Sequence, residues 1–94
     1  LIYEGVELED EVFMGPNTVT TNDISPSVDA EDWKKNRFRT TLFKKGCRIG
    51  ANVTIVCGTT IGEGSLIGAG SVVTKDMPSN IVAYGNPARI KGEV

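Results

Sequence analysis

The sequence predicts an all-β solenoid, a parallel β-helix of about three coils, and three observations carry that reading. From Phe43 to Val73 a large aliphatic or aromatic residue returns at every sixth position: Phe43, Ile49, Ile55, Ile61, Ile67, Val73. A period of six is neither the 3.6 of an amphipathic helix nor a plain alternation. Four residues after each of these stands a second inward candidate, usually small: Cys47, Val53, Thr59, Ser65 and Ser71, with Met77 as the large exception. Glycines punctuate the pattern, Gly50, Gly62 and Gly68 directly after isoleucines and Gly46, Gly58, Gly64 and Gly70 three residues after the large position. Each hexad reads as one short strand plus one corner, and three hexads close a triangular coil. Residues 18 apart then stack: Phe43 over Ile61, Ile49 over Ile67, Ile55 over Val73. An ordinary β-sandwich would need longer strands and hairpin turns, and no Asn-Gly or Asp-Gly pair occurs.

The first residues keep the same beat. Ile2, Leu8, Met14 and Thr20 are six apart, and Val6, Val12, Thr18 and Ile24 stand four after each. The pattern therefore starts in mid-coil at Leu1 with no capping element, whereas solenoid ends normally carry one. The expectation is a piece whose N-terminal coils are missing, or an open end stacked on another surface.

Between Thr20 and Phe43 the spacing is 23, one hexad plus 17 extra residues, which places a projecting loop at about 25–41. Such an interruption of a regular solenoid reads as a functional projection. Its alternating charges fit a solvated surface, while Trp33 and Phe38 fit packing on a neighbouring subunit or the wall of a cleft. After Val73 the pattern is expected to end at Lys75-Asp-Met-Pro78, because proline cannot donate to a ladder. Ile81–Gly85 reads as a last strand, and Asn86–Lys91 as an irregular, positively charged tail, so that 78–94 forms a C-terminal strand and tail on a single domain, 1–94. At ~4.8 Å per coil the column is about 15 Å tall, a small core that favours self-association.

Bulk properties narrow the function. A net charge of −2 and a pI near 5.0 argue against a general affinity for nucleic acid or acidic membrane surfaces. No apolar run approaches the ~18 residues of a membrane span and no signal segment opens the chain, so the cytoplasm is the default location. Cys47 and Cys57 have no histidine to complete a zinc site and read as free thiols; no metal site is expected. Cys57 fits a small filler, and with no base beside it nothing marks it as a nucleophile.

Ile67-Gly-Ala-Gly-Ser-Val-Val-Thr-Lys-Asp-Met-Pro78, followed by Tyr84-Gly-Asn-Pro-Ala-Arg89, resembles the hexapeptide-repeat acyltransferases over nearly the whole chain. The resemblance implies a left-handed coil, against the usual right-handed crossover. It implies a homotrimer that binds acetyl-CoA between the prisms of adjacent subunits. Val12–Asn17 running into Thr21-Asn-Asp23 and Pro26 is most similar to the N-acetyltransferases of nucleotide-linked amino sugars. On that resemblance Ala51 and Ala69, which are 18 apart, match the small residues that leave a smooth wall for the pantetheine. Thr74 and Lys75 match the positions at the adenine end, and Arg89, helped by Lys91, the tail cation near the phosphates, where charge-assisted hydrogen bonds form.

Many members of that family use a histidine general base, and this chain has none. A neutral sugar amine is already a nucleophile and needs mainly positioning, whereas a hydroxyl acceptor suffers more from the loss. Asn22 and Asp23 occupy substrate-facing positions of the resemblance, Asn22 to orient the amine and Asp23 to accept its proton or hold it; the same pair equally suits an Asx-turn that launches the loop. Two classes of function remain: an acetyl-CoA-dependent acetyltransferase for an amino sugar, or for a sugar hydroxyl, and a non-catalytic trimerising β-helix.

Overall fold

The computed structural model describes residues 6–21 and 40–94. These form eleven strands, most only two residues long: β1 (Val6–Leu8), β2 (Phe13–Met14), β3 (Val19–Thr20), β4 (Thr41–Phe43), β5 (Arg48–Ile49), β6 (Thr54–Ile55), β7 (Thr60–Ile61), β8 (Leu66–Ile67), β9 (Val72–Val73), β10 (Ile81–Gly85) and β11 (Ala88–Glu93). As far as β9, strands consecutive in the chain go to different sheets and every third strand pairs in parallel; β10 and β11 both join the second sheet, so the sheets run β1-β4-β7, β2-β5-β8-β10-β11 and β3-β6-β9. The result is a three-sided parallel β-helix.

The expected stacks form. Phe43 lies opposite Ile61, Ile49 opposite Ile67 and Ile55 opposite Val73. All six are fully buried, and each such side chain contributes roughly 1.5–3 kcal/mol by leaving water. The second inward set, Cys47, Val53, Thr59, Ser65 and Ser71, is buried as well. Across residues 22–39 the register holds, with Met14 opposite Ile49 and Thr20 opposite Ile55. These partners are 35 apart, one coil of 18 plus the 17 extra residues, so the insertion leaves the stack undisturbed. Thr41, assigned from sequence to the loop, begins β4 and is buried. Leu8 keeps its place beside Phe43 but is 47% exposed, because it lies in the outermost described coil.

Corner residues fall into two kinds. At Asn52 and Gly70, one coil apart, φ is 58° and 76°, a region that asparagine and glycine tolerate. Gly50 instead meets a close approach: a Cβ there would lie 2.6 Å from the amide nitrogen of Ala69.

Three expectations at the C-terminal end are corrected. Pairing does not stop at Pro78: Met77 bridges to Ile61 and β10 pairs with β8, Ala83 lying opposite Ile67. Pro78 is accommodated because its coil is the last on that side, where a missing N–H costs no ladder bond. Met77 is not an oversized second inward residue. Only four residues separate it from Val73 where six separate Ile55 from Ile61, so it takes the large position beneath Ile61. A two-residue deletion preserves the alternation, and the side chain still points in. The tail is not irregular either; Ala88–Glu93 forms β11, antiparallel to β10.

Thr20 occupies the inward column above Ile55, and its buried hydroxyl has no hydrogen-bond partner among the described residues. An unpaired buried hydroxyl costs about 1–3 kcal/mol. Thr20→Val, similar in shape, is expected to raise stability by ~1 kcal/mol in a urea unfolding curve; a loss of stability would show that the hydroxyl is in fact satisfied.

Candidate functional site

Two corners of the prism carry the residues singled out from sequence. The first joins the β2-β5-β8 sheet to the β3-β6-β9 sheet. Here Pro16, Ala51 and Ala69 stack, tied by Asn52 N–H to the Pro16 carbonyl and Gly70 N–H to the Ala51 carbonyl, both 2.9 Å. Gly15 and Gly50 sit under this column because the backbone of the next coil occupies the space of a Cβ. Ala51 is half-buried and Ala69 exposed, so the corner presents methyl groups and backbone with no projecting side chain. At the foot of the column Tyr84 packs over Gly68, whose Cβ would come within 2.9 Å of the Tyr84 Cβ. The Lys91 ammonium stands 5.4 Å from the Tyr84 ring centre, within cation–π range.

The second corner leads from β9 towards Met77 and holds Thr74, Lys75 and Asp76, all exposed. A cleft of about 250 Å³ opens there, lined by Lys75, Asp76, Met77, Ala88, Arg89 and Ile90. Fourteen residues apart in sequence, Lys75 and Arg89 thus share one cavity with an apolar floor of Met77 and Ala88, both buried. Two cations over apolar surface suit a ligand with phosphates and a flat or aliphatic body.

Lys91 is separated from Arg89 by an irregularity in β11. Ile90 lies opposite Ala83 and Gly92 opposite Val82, which leaves Lys91 as the extra residue of a bulge. A bulge re-aims its side chain, here onto Tyr84 and outside the cleft lining. Thr74 adjoins Lys75 in the chain but is likewise outside the lining. Asn22 and Asp23 lie outside the described residues, as do Trp33 and Phe38.

Both cysteines are free and buried. Burial pushes the Cys47 thiol up to about 11, so it is protonated at neutral pH and unsuited to attack a thioester. Among the described residues no three His, Cys, Asp or Glu side chains gather closely enough to hold a metal ion. No helix is long and apolar enough to cross a membrane, among the described residues. Two residues, Asp76 in the cleft lining and Tyr84 on β10 against Gly68 and Lys91, carried no role from sequence. The one signal for Asp76 was the shortened count from Val73 to Met77.

Residues 41–75 match the family described as bacterial transferase hexapeptide (six repeats). The chain is 61% identical over 57 residues to the dTDP-3-amino-3,6-dideoxy-α-D-galactopyranose 3-N-acetyltransferase of Aneurinibacillus thermoaerophilus, covering 61% of this chain and 30% of that protein. The serine acetyltransferase of Brucella abortus strain S19 superposes with a TM-score of 0.80 at 32% identity, over 100% of this chain and 34% of that one. A galactoside acetyltransferase in complex with coenzyme A gives a TM-score of 0.73 at 38% identity, over 94% and 44%. The fold is accordingly a left-handed parallel β-helix. The chain spans 30% to 44% of the length of these proteins.

Proposed function

Because the chain belongs to the hexapeptide-repeat acyltransferases, we propose that it forms the cofactor-binding part of an acetyl-CoA-dependent N-acetyltransferase for a nucleotide-linked amino sugar. The convergence of Lys75 and Arg89 on one apolar-floored cleft carries this reading. In it the two cations take the phosphates of the cofactor, and the corner of Ala51 and Ala69 offers the pantetheine a wall without side chains. In this reading the chain works as a homotrimer in the cytoplasm, and the alanine corner of one subunit and the cation cleft of its neighbour, which lie on different corners of each prism, come together across the subunit boundary. Thr74 borders the adenine end, and Lys91 contributes through Tyr84.

The acceptor amine attacks the thioester carbonyl carbon; the C–N bond forms, the C–S bond breaks, and the proton lost by nitrogen ends on the departing thiolate. Positioning of the amine against the thioester supplies most of the acceleration, since a neutral amine needs no base to become nucleophilic. Asn22 orients the amine and Asp23 takes or holds its proton. The named activity of the Aneurinibacillus relative supports an amino-sugar acceptor. A relative named galactoside O-acetyltransferase supports a hydroxyl acceptor instead, which would call for a general base that no histidine among these 94 residues supplies.

Calorimetric titration of the purified trimer with acetyl-CoA tests the reading. Wild type is expected to bind, and Lys75→Ala or Arg89→Ala to weaken binding about tenfold each, the effect of one charge-assisted hydrogen bond. A folded trimer that ignores acetyl-CoA, or a stable monomer by light scattering, would refute it. Assay with a dTDP-amino sugar against a galactoside then separates the acceptors.

A further inference from the structure

The corner that presents Lys75 is two residues shorter than the other corners between Phe43 and Val73. Val73 and Met77 are four apart where the large positions from Phe43 to Val73 are six apart, and the shortened turn has to be closed without the usual backbone pattern. In the preceding coil Leu42 pairs with Thr60 and donates its N–H to the carbonyl of Thr59, the residue before its partner. With Met77 beneath Ile61, Thr60 faces Asp76, and the same pattern would send its N–H to the carbonyl of Lys75. The bond goes instead to Asp76 Oδ1, at 2.9 Å. Thr60 is held on its other side as well, its carbonyl accepting the Met77 N–H at 2.9 Å. A side-chain oxygen therefore stands in the ladder where the Lys75 carbonyl would, at the corner whose Lys75 lines one cleft with Arg89.

We propose that Asp76 is a positioning residue for the cofactor: its Oδ1 closes the short corner on Thr60 and so holds Lys75 opposite Arg89. This role rests on the acetyl-CoA reading above. It requires an acceptor oxygen at that place and not a negative charge, since a carboxylate in a cleft meant for phosphates opposes the ligand. The arrangement also explains why an acid is tolerated between two cations that bind an anion: the oxygen serves the ladder, and its charge is the accompanying cost.

The test separates geometry from charge. Acetyl-CoA is titrated calorimetrically into wild type, Asp76→Asn and Asp76→Ala, with melting temperatures measured on the same samples. Asparagine keeps an Oδ1 acceptor, so Asp76→Asn is expected to bind at least as tightly as wild type. Asp76→Ala loses the acceptor and is expected to bind about tenfold more weakly while remaining folded. Should Asp76→Ala fail to fold, insertion of two glycines between Lys75 and Asp76 restores the six-residue spacing; this variant is expected to fold and to show the same tenfold loss. Wild-type affinity in folded Asp76→Ala or in the insertion variant would overturn the proposal, as would an Asp76→Asn as weak as alanine. Wild type that does not bind acetyl-CoA removes the functional reading itself, an outcome distinct from the others.

Discussion

Ile61→Ala is expected to cost about 4 kcal/mol of stability, within the range of roughly 2–5 kcal/mol for deleting a buried isoleucine side chain. Ile61 lies in the middle of its column, opposite Phe43 on one side and bridged to Met77 on the other, with no exposed surface. Neighbouring coils are held at ladder spacing by Lys44 N–H to the Ile61 carbonyl at 3.0 Å and Gly62 N–H to the Met77 carbonyl at 2.8 Å, so the hole cannot close by a local shift. A domain of this size has about 5–14 kcal/mol in hand, and the loss therefore takes a large share of it. Ile61→Val, which removes one methylene, should cost only about 1 kcal/mol. Urea unfolding of the three proteins gives the ranking, and equal midpoints for wild type and Ile61→Ala would show that the column is not the core.

Gly50→Ala is expected to cost at least about 3 kcal/mol, the upper range for overpacking, although alanine normally stabilises a chain relative to glycine. The new Cβ would stand 2.6 Å from the Ala69 nitrogen and 2.9 Å from its Cα, both backbone atoms that cannot step aside without breaking the ladder. Gly46 offers the contrast. Its φ is 71°, but nothing lies within 4 Å of a Cβ there, so Gly46→Ala carries only the backbone penalty of about 1–2 kcal/mol. Gly46→Asn should cost less again, since asparagine already holds this conformation at Asn17, Asn52 and Asn80. Gly50→Ala should also disturb acetyl-CoA binding, because the displaced Ala69 is part of the proposed wall. Comparable losses at Gly46 and Gly50 would show that one mechanism serves both kinds of corner glycine.

What could be read from the residue string is what the strand period dictates. A buried position every sixth residue means that one sheet face returns every 18, and Phe43, Ile49, Ile55, Ile61, Ile67 and Val73 stack as that arithmetic requires. The insertion was equally legible, since 17 residues without the beat leave Met14 and Thr20 in register with Ile49 and Ile55. Ala51 and Ala69 follow from the same period, and their stacking is visible in the Gly70 to Ala51 hydrogen bond.

Where the period changes, counting fails and only packing decides. From Val73 onward the missing two residues shift every partner, so Met77, Pro78 and the strand Ala88–Glu93 were misread although each residue was in view. The reason is physical: a sequence period reports which side chains face inward, whereas the partner of each backbone group depends on how tightly a corner turns. The meeting of Lys75 with Arg89, the diversion of Lys91 onto Tyr84 by a bulge, and the use of Asp76 as a substitute carbonyl all come from that choice of partner. The sequence alone determined a three-sided, six-beat solenoid with a smooth alanine corner; the tertiary structure decided which of its cations share a cleft, because that depends on contacts between segments whose spacing obeys no repeat.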